Sequence, residues 1–416
     1  MLDTSSLLTD PTAKAATLSR GDGAPPNLLR GDVMLPAAVL LDGAMRHNLE
    51  WMQRFVERYG ANLAPHGKTT MAPALFRRQL DAGAWGITVA TAQQACVAAA
   101  HGVGRVLLAN QLVGRANIEI VADLIGTRGT EIFCLVDSAA GAAQLAAVMR
   151  ARALTLDVLL EVAPEPDQGG YRTGVRDEAQ LEETLAAIRS HAPHLRLAGV
   201  EVYEGVLSDE AEVRRYLRRA AGIAADLAAA GAFGRTPPIL SGAGSAWYDV
   251  VAEEFAQAGS GFEVVLRPGC YLSHDAGLYR AAQGAIMSRN PVAAEMREGL
   301  RPALQIWAAV QSRPDPARAV VAMGKRDVAF DAGLPLPILH HRPGRDLRPA
   351  PAAAHWTVDA MMDQHAYLTC AADDDLAVGD LIGFDVSHPC LTFDKWRSVL
   401  IVDDDYGCVE RIATYF

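Results

Sequence analysis

Short apolar segments alternate with longer amphipathic segments over residues 42–279, and this alternation dominates the chain. Each apolar segment has the length of one strand, and the amphipathic segments carry apolar side chains at helical spacing. The clearest helical segments are Glu178–Ser190 and Glu210–Ala229. The predicted strands are Asn62–His66, Gly86–Ala90, Arg105–Ala109, Glu131–Val136, Asp157–Val162, Leu197–Val202, Pro238–Ser241 and Glu263–Leu266.

Eight continuous apolar strands that alternate with helices indicate parallel strands covered on both faces. Eight is the number of strands in a closed (β/α)8 barrel, which is therefore the predicted fold of this part of the chain. An open, doubly wound sheet is the alternative. The first strand is not followed by a GxGxxG sequence, and this disfavours the open sheet.

A second domain is predicted after about Tyr279, where the alternation stops. Short β-like segments separated by Pro- and Gly-rich turns indicate a mainly antiparallel β domain. We assign residues 1–33 to a flexible lead-in, 42–279 to the barrel, and 34–41 plus 280–416 to the second domain. The strand-like segment Leu35–Leu41 joins the second domain because a strand before the first barrel helix has no place in the barrel. The other β-like segments are Ala303–Val310, Ala319–Val321, Leu381–Val386 and Ser398–Val402.

Composition and charge exclude several kinds of partner. The chain has 416 residues and a net charge of −11, so a general affinity for nucleic acid or anionic membranes is not expected. The N-terminus lacks the apolar core of a signal peptide, and no apolar segment is long enough to span a bilayer. Six cysteines without a CxxC pair favour reduced thiols and a cytoplasmic location.

The candidate chemistry lies where the predicted barrel strands end, because active sites of this fold collect there. The first strand runs into Lys68, whose amine can form a Schiff base. The seventh leads into a small, glycine-rich loop with two hydroxyls, a suitable phosphate site. We assign phosphate binding to Ser241, Gly242, Gly244 and Ser245.

Two arginines follow other barrel strands. Arg172 is a candidate cation for a phenolate or carboxylate, and a surface arginine is the alternative interpretation. Arg267 suits either a structural pair with a barrel carboxylate or a donor to a ring nitrogen. A lysine, a phosphate loop and arginines together are the groups that bind pyridoxal 5′-phosphate (PLP).

An ordered set of short motifs resembles the fold type III (alanine racemase-like) PLP enzymes, and within them the D-serine dehydratase and D-threonine aldolase branch. The resemblance covers most of the chain beyond residue 35 and implies that Lys68 carries PLP. It also adds Tyr203 and Tyr271 to the expected PLP contacts. The motifs are Pro65–Thr69, Tyr171–Gly174, Tyr203–Gly205, Ser241–Ser245, Arg267–Tyr271, Asp331–Gly333, Asp363–His365 and Ser387–Cys390.

A metal site is expected at His388 and Cys390. Imidazole beside thiolate suits Zn²⁺, whereas a histidine with a carboxylate suits a harder ion such as Mn²⁺. The alternative without a metal is a cysteine packed in the core beside a histidine in a turn. In the branch that this sequence resembles, the zinc-dependent dehydratases have a His-x-Cys pair at this position and the aldolases have a His-x-Asp pair. The resemblance therefore implies zinc, with manganese as the alternative.

The predicted activity is a PLP- and zinc-dependent dehydration of a β-hydroxy D-amino acid such as D-serine, giving a keto acid and ammonia. The first alternative is a metal-dependent aldolase of the D-threonine type, giving glycine and an aldehyde. The second is a non-catalytic PLP-binding protein. The resemblance also implies a homodimer.

Overall fold

The computed structural model describes residues 2–3, 14, 16–20, 23–169 and 172–416. The strands are β1 (Leu2–Asp3), β2 (Ser19–Arg20), β3 (Ala37–Leu41), β4 (Asn62–Leu63), β5 (Ile87–Val89), β6 (Arg105–Gln111), β7 (Glu131–Val136), β8 (Leu156–Val162), β9 (Leu195–Val202), β10 (Ile239–Gly242), β11 (Glu263–Leu266), β12 (Leu304–Asp315), β13 (Arg318–Val321), β14 (Leu336–His341), β15 (Ala350–Pro351), β16 (Thr357–Met361), β17 (Ala366–Thr369), β18 (Leu381–Asp385), β19 (Ser398–Val402) and β20 (Cys408–Ala413). The α-helices are α1 (Asp42–Arg58), α2 (Pro73–Asp81), α3 (Ala92–Ala100), α4 (Arg115–Arg128), α5 (Ala139–Ala151), α6 (Glu178–Ser190), α7 (Glu210–Ala229), α8 (Tyr248–Ala256), α9 (Leu278–Arg289), α10 (Pro291–Glu295) and α11 (Pro389–Phe393).

The strands β4 to β11 form one parallel sheet in the order β4-β11-β10-β9-β8-β7-β6-β5. A parallel bridge between His66 and Thr88 joins the two ends of this order, with a 2.9 Å hydrogen bond from Thr88 N to Pro65 O. The ring is thus closed, as the alternation of apolar and amphipathic segments predicts. The side chains that fill its interior include Leu107, Phe133, Leu159, Ile239 and Val265.

A mainly antiparallel domain follows the barrel. Its main sheet has the order β15-β14-β18-β12-β13-β17-β16, and β3 pairs antiparallel with β12 and parallel with β19. The predicted fold class, a barrel followed by a mainly antiparallel β domain, is confirmed. None of the described helices is long and apolar enough to cross a membrane.

The segment 280–298, which the sequence assigned to the β domain, is helical and packs on the barrel. It forms most of α9 and all of α10, which pack on the barrel helices. Arg289 makes two 2.7 Å hydrogen bonds to the buried carboxylate of Asp249 in α8, and Tyr248 donates to Gln283 Oε1 at 2.5 Å. These contacts attach the segment to the barrel rather than to the sheet.

The predicted flexible lead-in also requires correction. Residues 1, 4–13, 15, 21 and 22 lie outside the described residues. Leu28 and Leu29, however, are buried in a 3-10 helix capped by Asn27, and Leu28 N donates to Tyr406 O at 3.1 Å. The chain is therefore packed against the second domain from about residue 27 onward.

Candidate active site

Lys68 lies just beyond the first barrel strand, in a tight turn. β4 ends at Leu63, and a 3-10 helix covers Gly67–Thr69. Gly67 has no room for a side chain, because a Cβ there would lie 2.8 Å from the Phe76 ring and 2.9 Å from Ile87 Cγ2. This close packing fixes the turn that presents Lys68 to a cavity at the barrel rim.

The cavity lies between the barrel and the second domain, and both domains line it. Of the residues predicted from the sequence, Lys68, Tyr203, Gly244, Ser245, Arg267 and Cys390 line it. The other lining residues are His66, Thr69, Ala243, Gly269, Cys270 and Tyr279. Six predicted residues from distant parts of the chain are thus brought to one place.

The electrostatic environment of Lys68 favours its neutral amine. The side chain is open to the cavity, but the surrounding protein still removes water from it. This desolvation lowers the pKa of Lys68 below its usual value, and the charges of Arg172 and Arg267 add to the effect, whereas Cys390 opposes it. A neutral amine is the form that attacks a carbonyl or accepts a proton.

His66 precedes this turn and remains uncharged. Burial, and then the charge of Lys68, lower its pKa well below the ordinary value. Its Nδ1 is buried without a hydrogen-bond partner among the described residues. A cavity-lining residue with an unpartnered ring nitrogen is one observation that favours a bound ligand.

The predicted phosphate loop is only partly available. Ser241 is fully buried, donates to Val265 O at 3.0 Å and accepts from Arg267 Nε at 3.1 Å, so its hydroxyl serves the barrel wall. The N–H groups of Ala243 and Gly244 donate to the buried carboxylate of Glu204 at 3.1 and 2.6 Å. The Ser241 hydroxyl is therefore bonded within the barrel wall, and its role as a phosphate ligand stays a prediction.

An alternative phosphate cradle lies one loop further on. The N–H groups of Gly269 and Cys270 converge on Ser245 Oγ at 3.3 and 3.1 Å. Gly269 leaves no space for a side chain, because a Cβ would lie 2.6 Å from Thr69 Oγ1 and 2.9 Å from His66 O. Both donors bond to the Ser245 hydroxyl here, and a phosphate oxygen that replaced this hydroxyl would be held by the same two N–H groups.

Arg267 makes the structural pair that was one of its two interpretations. Its Nη2 pairs with the buried Glu201 and donates to Val202 O at 2.9 Å. Burial raises the pKa of Glu201 to about 8, while the charge of Arg267 opposes this rise. Because Arg267 also lines the cavity, its role as a donor to a ring nitrogen stays a prediction.

The remaining predicted contacts lie outside the cavity lining. Arg172 is exposed, with its guanidinium 4.4 Å from the centre of the Tyr203 ring. Tyr271 is buried, and its hydroxyl accepts from Gln79 Nε2 at 3.2 Å, so its contact with PLP stays a prediction. A Cβ at Gly242 would lie 2.9 Å from Val202 Cγ2, so this glycine serves close packing.

His388 and Cys390 lie around the start of the short helix α11. Asp331 Oδ2 lies 2.7 Å from His388 Nδ1, which orients the ring and leaves Nε2 for a metal. Cys390 Sγ lies 3.4 Å from Thr69 Oγ1 and 3.5 Å from Cys270 Sγ. No group of three or more His, Cys, Asp or Glu residues suited to a metal occurs in the described part of the chain.

The protonation state of Cys390 suits metal binding, whereas His388 must first lose a proton. Hydrogen bonds, first from Cys270 and then from His388 and Thr69, lower the pKa of Cys390 to about 4. Hydrogen bonds to Cys390 and Asp331 raise the pKa of His388 to about 9 against the opposing effect of burial. The thiolate is the form that binds a metal, and a metal displaces the proton of the imidazole.

The donor sets fit both expected groups. For PLP there are a desolvated lysine amine, two converging N–H donors beside a hydroxyl, and a glycine whose position excludes a Cβ. For zinc there are an imidazole oriented by a carboxylate and a thiolate, with further positions left open. Cys390 lines the same cavity as Lys68, which places the two sites side by side.

Several site residues were missed by the sequence reasoning. Tyr279 lines the cavity from the start of α9, and its pKa is raised first by the negative charge of Cys270 and then by burial. Glu204 and Asp331 lie within the sequence motifs, but their bonding partners, Gly244 and His388, are 40 and 57 residues away along the chain. Such partners become visible only when the chain is folded.

Family comparisons agree with this architecture. Residues 42–273 match the family model described as "Alanine racemase, N-terminal domain". Residues 303–402 match the one described as "Putative serine dehydratase domain". The two matches fall on the barrel and on the second domain.

Proteins with similar sequences include aldolases and a dehydratase. The chain is 29% identical over 406 residues to a D-threonine aldolase from Arthrobacter sp., covering 94% of this chain and 96% of the relative. It is 33% identical over 172 residues to a D-threo-3-hydroxyaspartate dehydratase from Delftia sp. strain HT23, covering 41% and 43%. The crystal structure of a D-threonine aldolase from Filomicrobium marinum superposes with a TM-score of 0.77 at 26% identity, covering 97% and 98%.

Proposed function

We propose, from the premise that this chain belongs to the alanine racemase N-terminal domain family, that it is a PLP- and zinc-dependent dehydratase. Its relatives are aldolases and dehydratases, and it is a lyase of the fold type III PLP enzymes. The proposed substrate is a β-hydroxy D-amino acid such as D-serine, and the products are a keto acid and ammonia.

One observation carries the proposal. Cys390 and Lys68, from different domains, line the same cavity, and His388 stands two residues before Cys390 with Asp331 on its Nδ1. A thiolate and an imidazole favour zinc over the harder ions that carboxylates prefer. A Lewis acid placed beside the lysine is what removal of a β-hydroxyl requires.

Bound PLP supplies an electron sink for the charge left at the α-carbon, and bound zinc supplies a Lewis acid for the departing hydroxyl. Lys68 holds the cofactor and, once released from it, accepts the α-proton on Nζ. Desolvation lowers the pKa of this amine and so favours the neutral form that can act as a base. The enamine that results hydrolyses to the keto acid and ammonia.

The nearest alternative breaks the Cα–Cβ bond and releases glycine and an aldehyde. The full-length similarity to a D-threonine aldolase supports it. The residue that favours dehydration is Cys390, a soft ligand in the position where the resemblance expects a carboxylate in the aldolases. A non-catalytic PLP carrier gains no support from a cavity built with a second domain. The homodimer implied by the resemblance stays a prediction.

Product analysis tests the proposal. The PLP-loaded protein is incubated with D-serine or D-threonine after chelator treatment, with and without added Zn²⁺ or Mn²⁺. Ammonia and the keto acid, restored by Zn²⁺, are the expected products, and glycine with an aldehyde would instead establish the aldolase. Absence of any product from either substrate under all conditions would contradict both activities.

Two variants connect this activity to the site. Lys68→Ala should abolish keto acid formation, and a wild-type rate from this variant would contradict the mechanism. His388→Ala should lose the zinc-dependent activity. Its control is His355→Ala, since His355 also contacts a carboxylate, Asp374 Oδ2 at 2.8 Å, but does not line the cavity.

A further inference from the structure

Two cysteines from different domains meet at the edge of the cavity. Cys270 follows the last barrel strand, and Cys390 lies in α11 of the second domain. Their sulfur atoms are 3.5 Å apart, and both residues line the cavity. Cys270 is 3% exposed, whereas Cys390 is partly exposed, so a small solute reaches Cys390 first.

The surroundings hold the two sulfurs together. Thr69 Oγ1 lies 3.4 Å from Cys390 Sγ and 3.9 Å from Cys270 Sγ, so one hydroxyl contacts both. The backbone N–H of Cys270 is held by Ser245 Oγ at 3.1 Å. A third-ligand role for Cys270 is not favoured, since no group of three metal-binding residues occurs in the described part of the chain. The pair is then most simply two cysteine sulfurs in direct contact.

We propose that Cys270 and Cys390 form a reversible disulfide when the enzyme meets a hydroperoxide. The sulfurs must approach from 3.5 Å to about 2.05 Å, a movement of about 1.5 Å within reach of side-chain rotation. The cross-link is a modification site, and it joins the barrel to the second domain at the cavity.

The chemistry balances with hydrogen peroxide as the oxidant. The sulfur of Cys390 attacks one peroxide oxygen, the O–O bond breaks, and a sulfenic acid and water are formed. The sulfur of Cys270 then attacks the Cys390 sulfur and expels a second water, leaving the disulfide. Two thiols are oxidised and one peroxide is reduced to two waters. A dithiol reductant reverses the reaction by thiol–disulfide exchange.

A consequence for activity rests on the proposed function. A sulfur committed to a disulfide is no longer a thiolate ligand, so the cross-link and a metal at His388 and Cys390 exclude each other. Oxidation should therefore release the metal, and bound metal should protect the pair. Reduction of the disulfide should restore the Cys390 thiolate as a metal ligand beside His388.

The test uses the full-length, PLP-loaded protein after chelator treatment. It is exposed to one equivalent of hydrogen peroxide, its remaining thiols are alkylated, and non-reduced peptides are mapped by mass spectrometry. We expect a linked peptide pair containing Cys270 and Cys390, a loss of two hydrogen atoms, and four alkylated cysteines of the six. A dithiol reductant should return all six.

Matched variants locate the reaction. Cys270→Ser should give no link and should accumulate oxygen adducts on Cys390, whereas Cys96→Ser, at a half-buried cysteine on α3, should link as the wild type does. Cys270→Ala replaces the first variant if the serine protein does not fold. Wild-type protein with Cys390 oxygenated and Cys270 still alkylated would overturn the proposal, as would a link to another cysteine.

A last comparison separates this inference from the proposed function. Zn²⁺ added before peroxide should slow the link by at least about tenfold, because a metal-bound sulfur is protected. Equal rates with and without Zn²⁺ would overturn the mutual exclusion. Turnover of D-serine by the reduced protein is measured separately, so either claim can fail while the other stands.

Discussion

Replacing Gly269 by alanine should weaken PLP binding through crowding alone. The new Cβ would lie 2.6 Å from Thr69 Oγ1, 2.9 Å from His66 O and 3.0 Å from His66 Cβ. All three atoms belong to His66 and Thr69, which flank Lys68 in the turn, and His66 O is backbone and cannot rotate away. The loop must therefore move, and the N–H groups of Gly269 and Cys270 move with it.

Overpacking of this kind costs about 1–3 kcal/mol. The free enzyme can relieve the strain by shifting the loop, whereas a phosphate oxygen needs both N–H groups in place. If the cost falls on the bound state, the dissociation constant for PLP rises by roughly 5- to 150-fold, since about 1.36 kcal/mol is a factor of ten.

Absorbance titration of the cofactor-free protein with PLP gives the dissociation constant, and thermal unfolding of the same sample measures any cost to the fold. Gly222→Ala is the matched control, because Gly222 lies in α7 and its added Cβ would meet nothing within 4 Å beyond its chain neighbours and the local helix backbone. Unchanged PLP affinity together with an unchanged unfolding temperature in Gly269→Ala would refute the reasoning.

Three further predictions address the metal site, the electrostatics of the second domain and the attachment of α9. Asp331→Asn should weaken zinc binding about 10- to 100-fold in a competition titration, because the partner of His388 Nδ1 loses its charge, and unchanged affinity would exclude this orienting role. Burial raises the pKa of Asp385 to about 6, so the ionised carboxylate destabilises the fold increasingly as the pH rises from about 4 through 6. Asp385→Asn should therefore be more stable than wild type by about 3 kcal/mol in urea unfolding at pH 8, but not at pH 4. An equal effect at both pH values would contradict that cause. Arg289→Ala leaves the buried Asp249 unpaired and should cost about 3 kcal/mol of unfolding free energy, whereas a cost below about 1 kcal/mol would show that the pair is dispensable.

The barrel could be predicted because its strands are covered on both faces. Every residue of Leu156–Val162 is buried and five of the seven are apolar, so the strand appears in the sequence as a mainly apolar segment. The helix α9 gave no comparable signal, since Leu278 is 59% exposed while Gln283 and Ile286 are the buried residues. Its attachment depends on polar contacts, such as Arg289 with Asp249, that hydrophobic spacing does not reveal.

The candidate site could be predicted at the level of loops but not of individual atoms. Ser241 and Ser245 stand in one glycine-rich loop, yet one hydroxyl bonds to the barrel wall and the other meets the N–H groups of Gly269 and Cys270. Tyr271 and Tyr279 show the same difficulty, because only Tyr279 lines the cavity. Residue type and position are similar in each pair, and the direction of the side chain decides whether it reaches the cavity.

The strand β3 has a mechanical consequence for access to the cavity. It ends at Leu41 inside the second-domain sheet, and α1 of the barrel begins at the next residue, Asp42, so this crossing has no linker. The second crossing, residues 296–303, is fastened to the same helix, where Asn48 Nδ2 donates to Arg301 O at 2.7 Å and His47 Nε2 lies 2.9 Å from Gly299 O.

These two short connections between the domains are both anchored on α1 and hold the domains close together on that side of the molecule. These contacts oppose separation of the domains on that side, and we expect a substrate to enter by local movement of side chains or loops at the rim. The position of the second-domain thiol beside the barrel lysine therefore depends on these two crossings as well as on the contacts within the cavity.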